Sequence, residues 1–400
     1  MSICHYSENN NKLKYHFKML DKGIFYSCCL LFFFIPIGMS PAVISGILML
    51  ALWLLSGKAF RQKFWYPWTL PVLLLATLPW IGLLYTNNTV NGMFFAKKSY
   101  YWLYAFAIAS ISFQRYSASI MMRAYIFGTT LSSSVSLLQY FGFIPMKKGM
   151  PIAFFYWHQT YALVLALGLI LTSFYILNSR DLRDKILYAL IFLLIFSALV
   201  IVPGRAGHLV SLVSAPFIGY KLLKIRNFLK ILALCILTAG LLFISPVVRE
   251  RISQGLEDIK EYRAGNINTA IGWRLHLMNV SLEIIKENHL FGIGTGSFKD
   301  ELRKYKTDRD LPDSSQPHNN FLYMAVSFGI IGAVPLVWLF VLLFRNGWKN
   351  FNRIEGFSIF MYAIVIFIGG MFDTQIVMPA TGVMLALFTG LQTALYGGHN

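Results

Sequence analysis

Asn320 to Phe344 reads NFLYMAVSFGIIGAVPLVWLFVLLF, 25 residues without one charged side chain. As a helix rising about 1.5 Å per residue, it is long enough to cross roughly 30 Å of hydrocarbon. Its apolar residues run on without period-two alternation, which excludes a strand of a membrane barrel. About a dozen such apolar stretches lie between Ile24 and Tyr396. That is too many for a signal peptide or a single anchor. The chain of 400 residues is 56% hydrophobic and only 13% charged, with mean hydropathy +0.58. Soluble domains carry nearer a quarter charged residues. Hydrocarbon offers backbone groups no water partner, so the spans must be helices. The expectation is an all-α polytopic membrane protein.

Working outward from that stretch, apolar runs place twelve spans near 24–39, 42–57, 68–85, 99–113, 119–143, 152–177, 185–202, 207–222, 228–245, 320–344, 355–372 and 376–396. The first two are short for a span of about 20 residues. This divides the chain into a basic tail at 1–23, nine spans over 24–247, a polar segment at 248–319, three spans over 320–396 and a short end at 397–400. Of the 35 Lys and Arg, 19 fall in the tail, alternate loops and adjoining span ends. Five fall in the short opposite loops and 11 in the long polar segment, which also holds 11 Asp and Glu. The bias puts both termini in the cytoplasm and the long segment outside. The net charge of +18 is therefore mainly topological, and no nucleic-acid partner is expected. The four cysteines lack metal-ligand spacing and read as small buried hydrophobes.

The outer segment reads as ordered. Pro246 can open a helix to about Tyr262, with Ile252, Leu256 and Ile259 on one face. Gly265 can close it. Asn268 or Thr269 can cap a second helix, striped by Trp273, Leu277, Val280 and Ile284 and stopped by Gly292. Residues 299–317, with Pro312 and Pro317, read as a charged loop.

Three side chains gather on the outer face by this topology: Arg205 on the short loop after Val202-Pro203-Gly204, Arg274 at the border of the second helix's stripe, and His318 where the polar segment re-enters the membrane. A membrane-edge arginine ordinarily snorkels to lipid headgroups. It can equally grip a phosphate with two parallel hydrogen bonds. Arg274 has no acid three or four residues away, which leaves it free for an anion. Histidine is the side chain best placed to accept a proton near neutral pH. A backbone-bonded loop histidine is the plainer alternative, and His158, His208 and His276 compete for the role. His158 and Gln159 form a polar pair inside the sixth span, lining a cavity or pairing with a neighbouring helix. Gly292-Ile293-Gly294-Thr295-Gly296 has no preceding strand, so a dinucleotide fingerprint fails and a tight turn remains. Asp308-Arg309-Asp310 has acidic spacing suited to a metal, in a run better read as solvated. The spans hold almost no acids, unlike cation-coupled transporters; Asp373 sits at an outer edge.

At these residues the chain resembles the O-antigen ligases of Gram-negative inner membranes, in a wider family with O-antigen polymerases and some protein O-oligosaccharyltransferases. The resemblance rests on Pro203-Gly204-Arg205-Ala206, Ile271-Gly272-Trp273-Arg274-Leu275, Leu290 to Phe298, Pro317-His318-Asn319-Asn320-Phe321-Leu322 and Phe328-Gly329-Ile330-Ile331-Gly332, with the stretch Arg251 to Leu275. One departure is Ser327, where family members often carry an acid. The resemblance implies a membrane glycosyltransferase of the C type, working at the periplasmic face without metal, nucleotide or other cofactor. Its donor would be an undecaprenyl-diphosphate-linked glycan, its acceptor the lipid A–core oligosaccharide, among membrane lipids. Arg205, Arg274 and His318 would be catalytic. Arg205, Arg274, Asn319, His158 and Gln159 would touch substrate. A polymerase or protein glycosyltransferase of the same family is the near alternative; a transporter or lipid flippase is the distant one.

Overall fold

A computed structural model describes residues 19–62, 64–113, 116–305 and 312–396. Those residues form helices and no strand. In chain order they are α1 (residues 19–34), α2 (Met39–Leu55), α3 (Thr69–Ile81), α4 (Thr89–Ala96), α5 (Leu103–Ala109), α6 (Ser117–Tyr140), α7 (His158–Asn178), α8 (Leu182–Ile201), α9 (Arg205–Lys221) and α10 (Phe228–Phe243). The outer segment gives α11 (Pro246–Arg263), α12 (Ala270–Glu287) and α13 (Phe298–Lys304). The chain then returns through α14 (Asn320–Lys349), α15 (Ile354–Phe372) and α16 (Pro379–Leu391).

Four of these, α7, α8, α14 and α15, are long and apolar enough to cross a membrane. A multi-pass helical membrane protein follows. The helices α10 and α11 together would count as a fifth span, but they bend by 98° at Ser245-Pro246. Arg249, Glu250, Arg251, Glu257 and Asp258 make α11 polar. Hydrocarbon rejects such a run, so the bend turns the chain out of the apolar layer.

The helices α7, α9, α14 and α15 pack on one another around a single apolar core. Tyr161, Leu165, Phe357 and Met361 are buried there. Small residues set the closest approach: a Cβ on Gly204 or Gly207 would overlap Ala162 of α7. That crossing puts the first turn of α9 beside the first turn of α7.

Several element boundaries differ from the sequence reading. Helical backbone runs from Thr89 to Ala109, with a 3-10 stretch at Lys97–Trp102, rather than from 99 to 113. Lys97 and Lys98 lie within that run. Lys98 is accommodated with its ammonium 4.3 Å from the Phe94 ring centre, where the ring face offsets part of the desolvation. Residues 152–157 are not helical, so His158 opens α7 instead of lying inside a span. Similarly Arg205 is the first residue of α9, not a loop residue. Within the segment read as a loop, 298–304 is helical. The helix α12 ends at Glu287, five residues before Gly292.

The outer segment forms its own small core. Leu277, Val280 and Ile284 bury their stripe against Phe298, Leu302 and Val326. The face of Ile252 and Leu256 on α11 is exposed; the helix buries Val248 and Gly255 instead. Three glycines in left-handed backbone, Gly292, Gly294 and Gly296, then fold 292–296 tightly onto the membrane helices. Four of its amides are bonded: Gly292 N–H donates to Asn288 O (2.9 Å), Ile293 N–H to Val326 O (2.9 Å), Gly294 N–H to Ser327 O (3.0 Å) and Thr295 N–H to Gly82 O (3.2 Å). The loop is a joint. Opposite it, α14 breaks at Gly329 (φ 61°, ψ −151°), where a Cβ would strike the Leu290 backbone.

Candidate functional site

One cavity of about 410 Å³ opens where the first turns of α7, α9 and α12 meet. Its size lies in the range of small-ligand sites, about 300–1,000 Å³. Arg205, Arg251, Arg274, His158, Gln159 and Asn319 supply its polar lining, and among the described residues no Asp or Glu lines it. The structure thus brings five of the six sequence-selected residues to one wall. His318 is the sixth and does not line the cavity, although its chain neighbour Asn319 does.

Each arginine is placed by local chemistry. Arg205 follows the Gly204 contact with α7, and its guanidinium lies over Gly255 of α11, where a Cβ would stand 3.3 Å from Nη1. Arg274 sits one turn into α12. That turn is fixed twice: Thr269 Oγ1 accepts from Gly272 N–H (3.0 Å), and Asp258 Oδ2 of α11 accepts from Ile271 N–H (3.1 Å). Arg274 donates from Nη1 to Ala270 O (3.2 Å). Burial lowers its pKa from the ordinary value, while Asp373 and Asp258 act in the other direction. A guanidinium nevertheless stays charged. The cavity is therefore cationic, which favours an anion.

Asn319 caps α14. Its Oδ1 accepts from Phe321 N–H (2.8 Å) and Leu322 N–H (3.1 Å), and its Nδ2 donates to Met371 O (3.3 Å). Its amide is thus largely committed to positioning the helix. His318, just before it, holds a left-handed φ of 52°, a conformation that costs a non-glycine residue about 1–2 kcal/mol. The strain turns the imidazole to the end of α15. There His318 Nδ1 meets Asp373 Oδ1 at 2.8 Å. Asp373 is buried, and also accepts from Thr374 N–H (2.8 Å) and Gln375 Nε2 (3.4 Å). An ionised carboxylate only accepts, so it fixes the proton on Nδ1 and leaves the Nε2 lone pair outward. Ser314 Oγ stands 3.4 Å from Nε2, but its hydroxyl proton is directed to Gln316 O at 2.7 Å.

Of the competing histidines, His158 lines the cavity and the other two are engaged elsewhere. His208 is buried, with Nε2 2.9 Å from Leu199 O. His276 stacks on Trp273 at 5.4 Å. Asp308 and Asp310 lie outside the described residues.

Residues 189–337 match the family model described as O-antigen ligase. This stretch of the chain is of the O-antigen ligase family. Members are membrane enzymes of glycosyltransferase type, ligases and polymerases. The O-antigen ligase match takes in the whole outer segment, with Arg205, Arg251, Arg274, His318 and Asn319; His158, Gln159 and Asp373 lie beyond it. No curated protein matches the chain.

Sequence reasoning passed over two residues here. Arg251 entered only as the first residue of the stretch Arg251 to Leu275, and the structure brings it to the cavity. Asp373 carried a signal, as an isolated carboxylate at the outer end of an apolar helix, but its partner is 55 residues away in the chain.

Proposed function

We propose that this protein is an O-antigen ligase of the bacterial inner membrane. It would transfer a glycan from undecaprenyl diphosphate to a hydroxyl of the lipid A–core oligosaccharide at the periplasmic face. The observation that carries the reading is one cationic cavity with no lining carboxylate among the described residues, beside a histidine whose tautomer is set by a buried aspartate. Twelve spans in a C-type glycosyltransferase arrangement, with 248–319 as the periplasmic segment, belong to the same proposal.

The chemistry follows from those groups. The acceptor oxygen attacks the anomeric carbon, and the bond from that carbon to the diphosphate oxygen breaks with its electron pair staying on the diphosphate. Arg205 and Arg274 hold that diphosphate and offset its growing charge. His318 Nε2 takes the acceptor's hydroxyl proton; Asp373 holds the ring and stabilises the imidazolium. His158 and Gln159 contact the donor from the α7 side, and Asn319 keeps the α14 end in place. One displacement inverts the anomeric centre.

The test is transfer by purified protein from a prenyl-diphosphate-linked glycan. Offered lipid A–core, a second glycan-lipid and a serine-containing peptide in turn, the protein should glycosylate lipid A–core. Extension of the glycan-lipid instead would make it a polymerase. Movement of lipid across vesicles with no covalent product would remove it from enzymes altogether.

A further inference from the structure

Arg205 and Arg274 leave one feature of the cavity unexplained, its third guanidinium. Arg251 lines the same wall, half-buried on the first half of α11. It shares that lining with Arg205 and His158, so its charge adds to theirs at the cavity. Among the described residues it forms no ion pair with a carboxylate; one guanidinium nitrogen donates to Gln254 Oε1 (2.9 Å), which leaves further donors for a ligand. The nearby acids have other engagements. Asp258 accepts from the Ile271 amide and Asp373 accepts from His318.

A prenyl diphosphate joined to a sugar is a diester with two ionised oxygens. When the glycosidic bond breaks, the electron pair left on oxygen creates a terminal phosphomonoester. This adds a third negative charge above its last pKa of about 6. Three arginines match the product's charge, and two match the substrate's. An interaction that strengthens only as the bond breaks accelerates the reaction, whereas one made equally in the ground state does not.

We propose that Arg251 is the group that receives this extra charge, so that the cavity selects a terminal phosphomonoester over a capped diphosphate. The inference rests on the diphosphate-binding reading of the same cavity. It makes the site a sensor of product, held tightly until the prenyl diphosphate leaves.

Binding of two probes to the detergent-solubilised full chain tests it: farnesyl diphosphate, and the same molecule with its terminal phosphate methylated. The wild type should favour the free form by about tenfold or more, as one charge-assisted hydrogen bond implies. That preference should grow from pH 5 to pH 8 as the last phosphate proton leaves. R251Q should weaken the free form about tenfold and the methylated form less than about threefold; R251K should restore part of the preference. R205A should weaken both forms. Equal loss of both probes in R251Q, or loss of neither, overturns the assignment to Arg251. Wild-type protein that binds neither probe overturns the diphosphate reading itself, and Arg251's role with it. Unchanged thermal unfolding of R251Q shows that the variant is folded.

Discussion

His318 Nδ1 and Asp373 Oδ1 stand 2.8 Å apart, joining the end of the outer segment to the end of α15 across 55 residues of sequence. The pair needs both a strained backbone at His318 and a buried carboxylate at Asp373.

Asp373→Asn tests the pair most directly. The amide can donate to Nδ1, which would move the ring proton to Nε2 and block proton acceptance there. Turnover should fall by about 10²–10⁴-fold with donor KM nearly unchanged, by analogy with histidines oriented by aspartate elsewhere. Steady-state transfer with lipid A–core measures it; retention within threefold would show that the carboxylate does not set the tautomer.

Arg205→Ala and Arg274→Ala should each lower turnover by about 10²–10³-fold, the usual cost of one preorganised donor at developing charge. Lysine at either position should recover only part, because it cannot make the paired planar contact. Membrane levels should stay normal. A double variant that still builds a full lipopolysaccharide ladder on gels would rule out the clamp.

Gly329→Ala should destabilise the fold by more than about 2 kcal/mol, since the backbone there is open essentially to glycine alone and Leu290 occupies the space. Gly142→Ala is the comparison. Gly142 also has positive φ (81°) but nothing stands within 4 Å, so only backbone strain of about 1 kcal/mol applies. Thermal unfolding in detergent separates the two, and equal losses would show that α14's break does not depend on the docked segment.

Acid should loosen the outer segment through His276. Burial lowers its pKa below the ordinary 6.5, and its Nε2 has no hydrogen-bond partner among the described residues. The folded state prefers the neutral ring. Its contribution is present above about pH 6.5 and is lost as pH falls through that value toward the lowered one. Amide exchange in 270–287 should therefore quicken as pH drops below 6.5, after correction for intrinsic rates. His276→Phe should flatten that dependence, and an unchanged slope in the variant would assign it elsewhere.

The apolar stretches that became α7, α8, α14 and α15 were readable because each is long, continuous and nearly free of charge. The first half of the 89–109 helical run was not, because Lys97 and Lys98 broke the apolar count while Phe94 and Phe95 provided for Lys98 in space. On the outer side, Thr269 and the Leu277, Val280 and Ile284 stripe showed α12 correctly, since a cap and a 3.6-residue period are local signals. Arg205 and Arg274 stood out by being cations without neighbours. Arg251 and Asp373 did not, because their significance comes from a 98° bend and from a partner far along the chain. Residue order carries neither.

The glycine joint at 292–296 fastens the outer helices to the membrane helices through main-chain bonds to residues 82, 326 and 327. Such a fastening holds no ionic contact that dissolved salt could weaken. Arg274 rides on the fastened part and Arg205 on α9, so the joint relates the two without relying on an ion pair. The grip on a charged ligand will weaken in brine; the geometry of the hand that grips it will not.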